Sequence, residues 1–320
     1  MNKALACLVV VFALASFGAR AADYPSKPIT LVIPFAAGGS NDIVGRAIGK
    51  KLSEALGQPV VIENRLGAGG VIAAAAVASA APDGHTLLLV SSTFTINPAI
   101  KSSVPFDTVK DFTPVAFIAR SPLLVTAARN VPANSAQELI ALARSKPGAI
   151  NYASSGPGSI NQIAAELLAL SAGIKLTHIP YKGGSLALND LVGGHVEIYI
   201  SSLPQVLEIV RTGQAKGLAV TSMRRTPSLP NVPTLDESGV PGFDATSWWG
   251  IVGPAGIPPQ IVGVLNAEIN KTLTSAEMKK FLEGEGAEAA SMTQQEFADL
   301  IRTETQRWIK VAREANIRID

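Results

Sequence analysis

Glycines and hydroxyls placed where an apolar strand gives way to a helix are the residues of this chain best suited to chemistry, and the chemistry they suit is anion binding. In YPSKPITLVIPFAAGGSNDIVGR, residues 24–46, the β-branched and aromatic run 29–35 predicts a buried strand, which Gly38, Gly39 and Ser40 break. Ser40, Asn41 or Asp42 then caps a helix whose Ile43, Val44, Ala47 and Ile48 recur at helical spacing. The first N–H groups of a helix lack partners within it and carry partial positive charge, so glycines that admit close approach favour a carboxylate or phosphate there. The same turn also serves α/β proteins merely to pack helix on strand, and these residues alone leave both readings open. A second unit repeats the order: NYASS at 151–155, then Gly156-Pro157-Gly158-Ser159, then a helix over 160–172 with Ile163, Leu167 and Leu170 on one face. Two more turns, SSTFTINP at 91–98 and SSLP at 201–204, place hydroxyls at strand ends, where open α/β sheets bind ligands. If the first two helix heads face one cleft, each could hold one end of a ligand with carboxylates at both ends. Two unrelated capped helices would look the same in sequence.

Catalysis would need more than these residues offer. The candidate turns read GGSND and PGSIN, neither of which is a G-x-S-x-G nucleophile elbow. His85, His178 and His195 stand apart, without H-x-x-x-H or carboxylate spacing for zinc, and each reads as a packing or surface residue. The phosphate motif G-x-x-x-x-G-K-[ST] is missing, and neither Gly67-Ala68-Gly69 nor Gly156-Pro157-Gly158 completes G-x-G-x-x-G. The expectation is therefore a protein that is not an enzyme, with no catalytic residue, no metal and no cofactor. Charged residues make up 16% of the 320, below the roughly 25% typical of globular chains. The formal net charge is +2, and Lys3 and Arg20 of the N-terminal segment account for it. With no basic tract, a nucleic-acid partner is not expected.

The elements that must position these turns follow from periodicity. Lys3, the apolar run 4–17 and Ala19-Arg20-Ala21 read as a secretory signal peptide over residues 1–21, cleaved near Ala21, which places the mature protein in the periplasm. Cys7, the sole cysteine, leaves with it, so about 300 residues must rely on core burial without disulfides. Strand-like runs near 29–34, 60–63, 86–91, 115–120, 123–127, 151–153, 176–179, 198–201, 215–221 and 247–253 alternate with helical patterns, the mark of α/β architecture. Helices are expected over 42–56, 70–80, 136–146, 160–172, 185–193, 203–211, 258–274, 276–283 and 293–315. The last carries Phe297, Leu300, Ile301, Trp308 and Val311 at amphipathic spacing and should cover a core.

Taken together, YPSKPITLVIPFAAGGSND, ENRLGAGG at 63–70, DGHTLL at 83–88, INP at 96–98, YASSGPGS, THIPYKGG at 177–184 and WWGIVGPAGIP at 248–258 resemble the Bug family of periplasmic solute receptors, the binding components of tripartite tricarboxylate transporters. The resemblance spans nearly the whole mature chain. It implies a type II periplasmic binding protein fold: two Rossmann-like α/β lobes with a central cleft, lobe one at 22–120 plus 247–320 and lobe two at 121–246. It further implies that a small-molecule carboxylate is captured in the cleft and that closure is read by membrane transporter subunits, or by a sensor protein. A monomer is expected. Carried onto this chain, the ligand-binding residues are Phe35, Ala37, Gly38, Gly39, Ser40 and Asp42 in the first turn, with Asp42 orienting water, capping the helix or accepting an amine. They continue with Ser155, Gly156, Gly158 and Ser159 in the second turn, Ser91, Thr93, Thr95 and Asn97 in the third, and Tyr181 and Ser201. Lys182 reads as an exposed loop cation, and Trp248 and Trp249 as core packing near the second crossover.

Departures from the family pattern bear on specificity. Relatives often carry prolines where Ala36 and Ala37 stand, Thr where Asn41 stands, and Gly-Asn-Gly-Ser-Ser-x-His where this chain has Gly156 to Gln162. Pro157 removes a backbone donor, Ile160 replaces a hydroxyl, and Phe94 stands where His is frequent. The expectation is a ligand with an apolar or aromatic body rather than a densely hydroxylated one such as citrate.

Overall fold

The computed structural model of the protein describes residues 24–101 and 103–314; the expected signal peptide, with Cys7 and its cleavage site, lies outside them. In chain order the elements are β1 (Ile29–Ile33), α1 (Ser40–Leu56), β2 (Val60–Asn64), α2 (Val71–Ala78), β3 (Thr86–Ser91), α3 (Ser92–Ile100) and β4 (Phe112–Ala128). There follow α4 (Ala136–Ser145), β5 (Asn151–Ser154), α5 (Ile160–Ala172), β6 (Thr177–Pro180), α6 (Gly184–Val192), β7 (Ile198–Ser202), α7 (Leu203–Arg211) and β8 (Ala215–Val220). The chain ends with β9 (Thr246–Pro254), α8 (Pro259–Thr274), α9 (Ala276–Gly284), β10 (Glu288–Ala289) and α10 (Gln294–Glu314).

Ile29, Leu31, Val32 and Ile33 of β1 are all buried, as a parallel strand covered by helices on both faces requires. β2, β1 and β3 pair in parallel, β9 then pairs antiparallel with β3, and the first part of β4 closes the order β2-β1-β3-β9-β4, with β10 on its far side. The second sheet repeats this plan. β6, β5 and β7 are parallel, the last part of β4 runs antiparallel to β7, and β8 completes the order β6-β5-β7-β4-β8. In each sheet an antiparallel strand is supplied by the chain as it crosses from the other, β9 in the first and β4 in the second, and the short β10 runs in the same sense as β9.

One expectation is corrected here: the runs 115–120 and 123–127 are a single strand. Ser121 and Pro122 read as a break, yet β4 passes through them because its partners change and not its direction. Residues up to Pro122 pair with β9, and from Leu123 onward they pair with β7 and β8. A second correction concerns 92–98, which is helix and not turn. Thr and Ile are poor helix formers and Pro98 sits inside α3, so propensity points away from a helix. Burial of Phe94, Ile96 and Ile100 overrides it.

Buried side chains form three clusters. Two flank the first sheet, one including Ile29, Val44 and Leu265, the other Val32, Phe94 and Phe297. The third fills the second sheet's surroundings and also takes in Ile96 and Ile100 of α3 and Trp308 and Ala312 of α10. The C-terminal helix thus packs Phe297 and Ile301 with the first sheet and its last turns with the second.

Where the two crossing segments run side by side, Thr221 ties them. It is fully buried; its hydroxyl oxygen accepts from the Leu123 N–H at 2.9 Å and its O–H donates to the Ala245 carbonyl. Its backbone pairs with the same two residues. Replacing Thr221 with valine keeps the shape but strands the Leu123 N–H, so Thr221→Val should lower stability by about 1–3 kcal/mol in urea or thermal unfolding, while Ser222→Ala, at a less buried neighbour, should change it little.

Candidate functional site

Both sheets aim the C-terminal ends of their parallel strands at one cavity, and five helices begin there. Phe35, Gly39, Ser40 and Asn41 come from the turn into α1, Ser91 and Thr93 from the start of α3, and Ser155, Ile160 and Asn161 from the turn into α5. Gly184 opens α6, Ser202 caps α7 with Gln205 in its first turn, and Ser247 comes from the second crossing. The free space is about 350 Å³ counted out to the open mouth. None of the lining residues is charged.

The first turn is rigidly held and left open. Gly39 is the N-cap, extended and without a side-chain cap, and among the described residues the N–H groups of Ser40, Asn41 and Asp42 have no acceptor. Asp42 sits behind them, buried and turned from the cavity. Its carboxylate accepts from the Gly38 N–H at 3.0 Å, from Arg46 Nε at 2.7 Å and from Asn64 Nδ2 at 2.9 Å. Asn64 also donates to the Phe35 carbonyl at 2.9 Å, so the turn is fastened at both ends. Burial alone would raise the Asp42 carboxyl, but hydrogen bonds from Arg46, Gly38 and Asn64 and the Arg46 charge outweigh it and hold it below the usual carboxylate range.

The second turn differs, because most of its donors are already used, the Asn161 N–H being left without an acceptor among the described residues. The Gly156 N–H bonds to Ser154 Oγ at 3.1 Å, the Gly158 N–H to Gln162 Oε1 at 2.9 Å, and the Ile160 N–H to Thr93 Oγ1 across the cavity at 3.1 Å. What faces the cavity is Ser155, Ile160 and Asn161, whose amide is spent on the Ile200 carbonyl and the Ser155 hydroxyl. Ser154 also meets His178 at 2.6 Å. That Ser–His pair shapes the turn: Ser154 is fully buried, and burial lowers the His178 pKa.

The two lobes touch on both flanks of the cavity. A Cβ placed on Gly69, at φ +62°, would stand 2.4 Å from the Pro157 carbonyl oxygen, and one on Gly183 would stand 2.5 Å from Ala36 Cβ. Only glycine allows these approaches.

Of the residues expected from sequence, Phe35, Gly39, Ser40, Ser91, Thr93 and Ser155 line the cavity. Ala37, Gly38 and Asp42 belong to the supporting side of the first turn. Thr95 bonds back to the Ser92 carbonyl, and Asn97 lines an adjoining apolar cavity with Phe94, Phe35 and Pro34. Gly156, Gly158 and Ser159 stay within their own turn, and Ser201 supports Gln205 at 3.0 Å. The Tyr181 hydroxyl donates to Asp190 at 2.6 Å, and Tyr181 is not among the residues that line the cavity. Asn41, Asn161, Gly184, Ser202, Gln205 and Ser247 line it without having been singled out as ligand contacts. The pattern Ser202-Leu203-Pro204-Gln205 is a capping-box signature that could have put Gln205 in a first helical turn, whereas nothing in the strand-like context of Ser247 marks it.

Two α/β lobes joined by crossing strands, with a donor-lined cavity between opposed strand ends, define a binding protein of the type II periplasmic fold. The chain belongs to the tripartite tricarboxylate transporter family of receptors, whose family model matches residues 44–317. Protein BugT of Bordetella pertussis is 36% identical over 323 residues, covering 100% of this chain and 99% of its own. An R. palustris protein solved with adipate superposes with a TM-score of 0.90 at 36% identity, covering 92% of this chain and 99% of its own. MatC from Rhodopseudomonas palustris, solved with bound malate, does so with a TM-score of 0.87 at 34% identity, over 90% of this chain and 99% of its own.

The Asp42 network carries a pH signature. Because its folded-state pKa is depressed, its contribution is complete above the ordinary aspartate value of about 3.9 and is lost as pH falls through the lower folded value. Asp42→Asn should destabilise the ligand-free protein by about 1–3 kcal/mol near neutrality, and melting curves of the two proteins should converge as the pH is taken well below that value.

Proposed function

We propose that this protein captures a small organic carboxylate between its lobes and delivers it to the membrane subunits of a tripartite tricarboxylate-type transporter. The observation that carries this reading is the set of unpaired N–H groups at the head of α1, facing a cavity where five helices begin and no charged side chain intrudes. Each helix head contributes roughly half a positive charge, so an anion is favoured there without a lysine or arginine. The adipate- and malate-bound relatives support a carboxylate as that anion.

In this reading the protein binds and releases its ligand unchanged, and works in the periplasm after loss of residues 1–21, as a monomer. No helix among the described residues is long and apolar enough to cross a membrane. The lobes are residues 22–120 with 247–320, and residues 121–246; they close about the paired crossings near Ser121 and Thr246, and the transporter recognises the closed form. The ligand's body is apolar, since Ile160 lines the cavity and Phe94 the space beside it.

The test is thermal. Mature protein is unfolded and refolded to remove carried ligand, then melted with adipate, malate, citrate and aromatic acids. An acid that binds the native state at about a hundred times its Kd adds roughly 2.7 kcal/mol and raises the melting temperature accordingly. An acid with an apolar body is expected to give the shift; a response to citrate alone would remove the apolar-body claim, and silence across the panel would remove the carboxylate. Affinity should stay flat between about pH 6 and 9, because no lining side chain titrates there, and should fall only as the acid itself is protonated.

A further inference from the structure

Two side chains lining the cavity bury a polar atom without a partner, Asn41 Oδ1 and Gln205 Nε2, and of these only the second is a donor. Gln205 is only 7% exposed, and its amide oxygen accepts from the Ser201 hydroxyl at 3.0 Å and the Tyr199 hydroxyl at 3.2 Å. Tyr199 is wholly buried, and burial raises its pKa well above the usual range, so its proton stays on and is donated to that oxygen. The orientation of the amide follows, and its nitrogen is left buried without a partner. The Gly184 backbone presses against this amide: a Cβ there would lie 2.4 Å from both of its terminal atoms. A side chain so held cannot swing out to find water. A buried amide without an acceptor is a cost that a folded protein rarely keeps unless something else supplies the acceptor.

We propose that Gln205 is the second lobe's specificity residue: its Nε2 donates to an acceptor oxygen of the ligand other than those of the carboxylate held at α1. Ser201 and Tyr199 are positioning residues that hold the amide in place. This rests on the carboxylate reading above and narrows it. The ligand is a short acid whose otherwise sparse body carries a second oxygen, in a further carboxylate, a keto group or a hydroxyl, and a plain monocarboxylic acid of the same length is discriminated against.

The experiment compares wild-type and Gln205→Glu mature protein, stripped of ligand, with adipate against hexanoate and with malate against butyrate. Glutamate keeps an acceptor for Ser201 and Tyr199, removes the donor and sets a negative charge where the second oxygen would sit. Wild type should prefer the diacid of at least one pair, and the variant should lose at least about tenfold in affinity for that diacid while its response to the monoacid is largely kept. Equal binding of a diacid by both proteins, or no preference over the monoacid in wild type, would overturn the proposal. If none of the four acids moves the wild type, the carboxylate reading itself fails and the Gln205 proposal, which rests on it, falls with it, an outcome distinct from equal binding of a diacid by both proteins.

Discussion

A peptide N–H taken out of water needs an acceptor, and at the head of a helix the helix supplies none. Five such heads meet at the cavity of this protein, and the sequence settles each in its own way. At α5 most of the donors are consumed, by Ser154, Gln162 and, from the other lobe, Thr93. At α1 they are left free, because Gly39 offers no cap and Asp42, the nearest acceptor, faces the other way. The fold's doubled strand order follows from the same need: only where parallel strands end on both sides of a cleft can so many helix heads converge.

A carboxylate beside an anion site would ordinarily repel the ligand. Asp42 avoids this by spending its charge on Arg46 and its lone pairs on Gly38 and Asn64. Its effect on the cavity is geometric: it keeps the turn in the shape that leaves the α1 amides pointing inward. A site made of amides, hydroxyls and carboxamides would hold an anion by direction and desolvation more than by net charge, which suits the proposed carrier, since it must also let go.

The lobes are less separate than two sheets suggest. β4 belongs to both, α10 packs one end with each, and Ile96 and Ile100 of α3 share a core with the second lobe. Thr221 then locks the two crossing segments together at a buried point with all its polar atoms paired. Motion between lobes has to work around these shared elements, and the glycines at 69 and 183 allow the facing surfaces to meet without side chains between them.

The sequence by itself determined the α/β class, the alternation of elements and the first turn as a helix head, since these depend on local periodicity and on the special geometry of glycine. The ordered motifs along the chain also determined the family. Tertiary structure alone decided which turns keep their donors. Both GGSND and PGSIN read as helix heads that could take an anion, but Thr93, distant in sequence from Ile160, takes a donor from the second of them. It decided too that 92–98 is helical, through burial that propensity does not record, and that β4 runs unbroken, through a change of partners that no local window contains. Gln205 is the clearest case: its role depends on where Tyr199, Ser201 and Gly184 stand around it, and hydrogen-bond direction is a property of the folded neighbourhood, not of the residue.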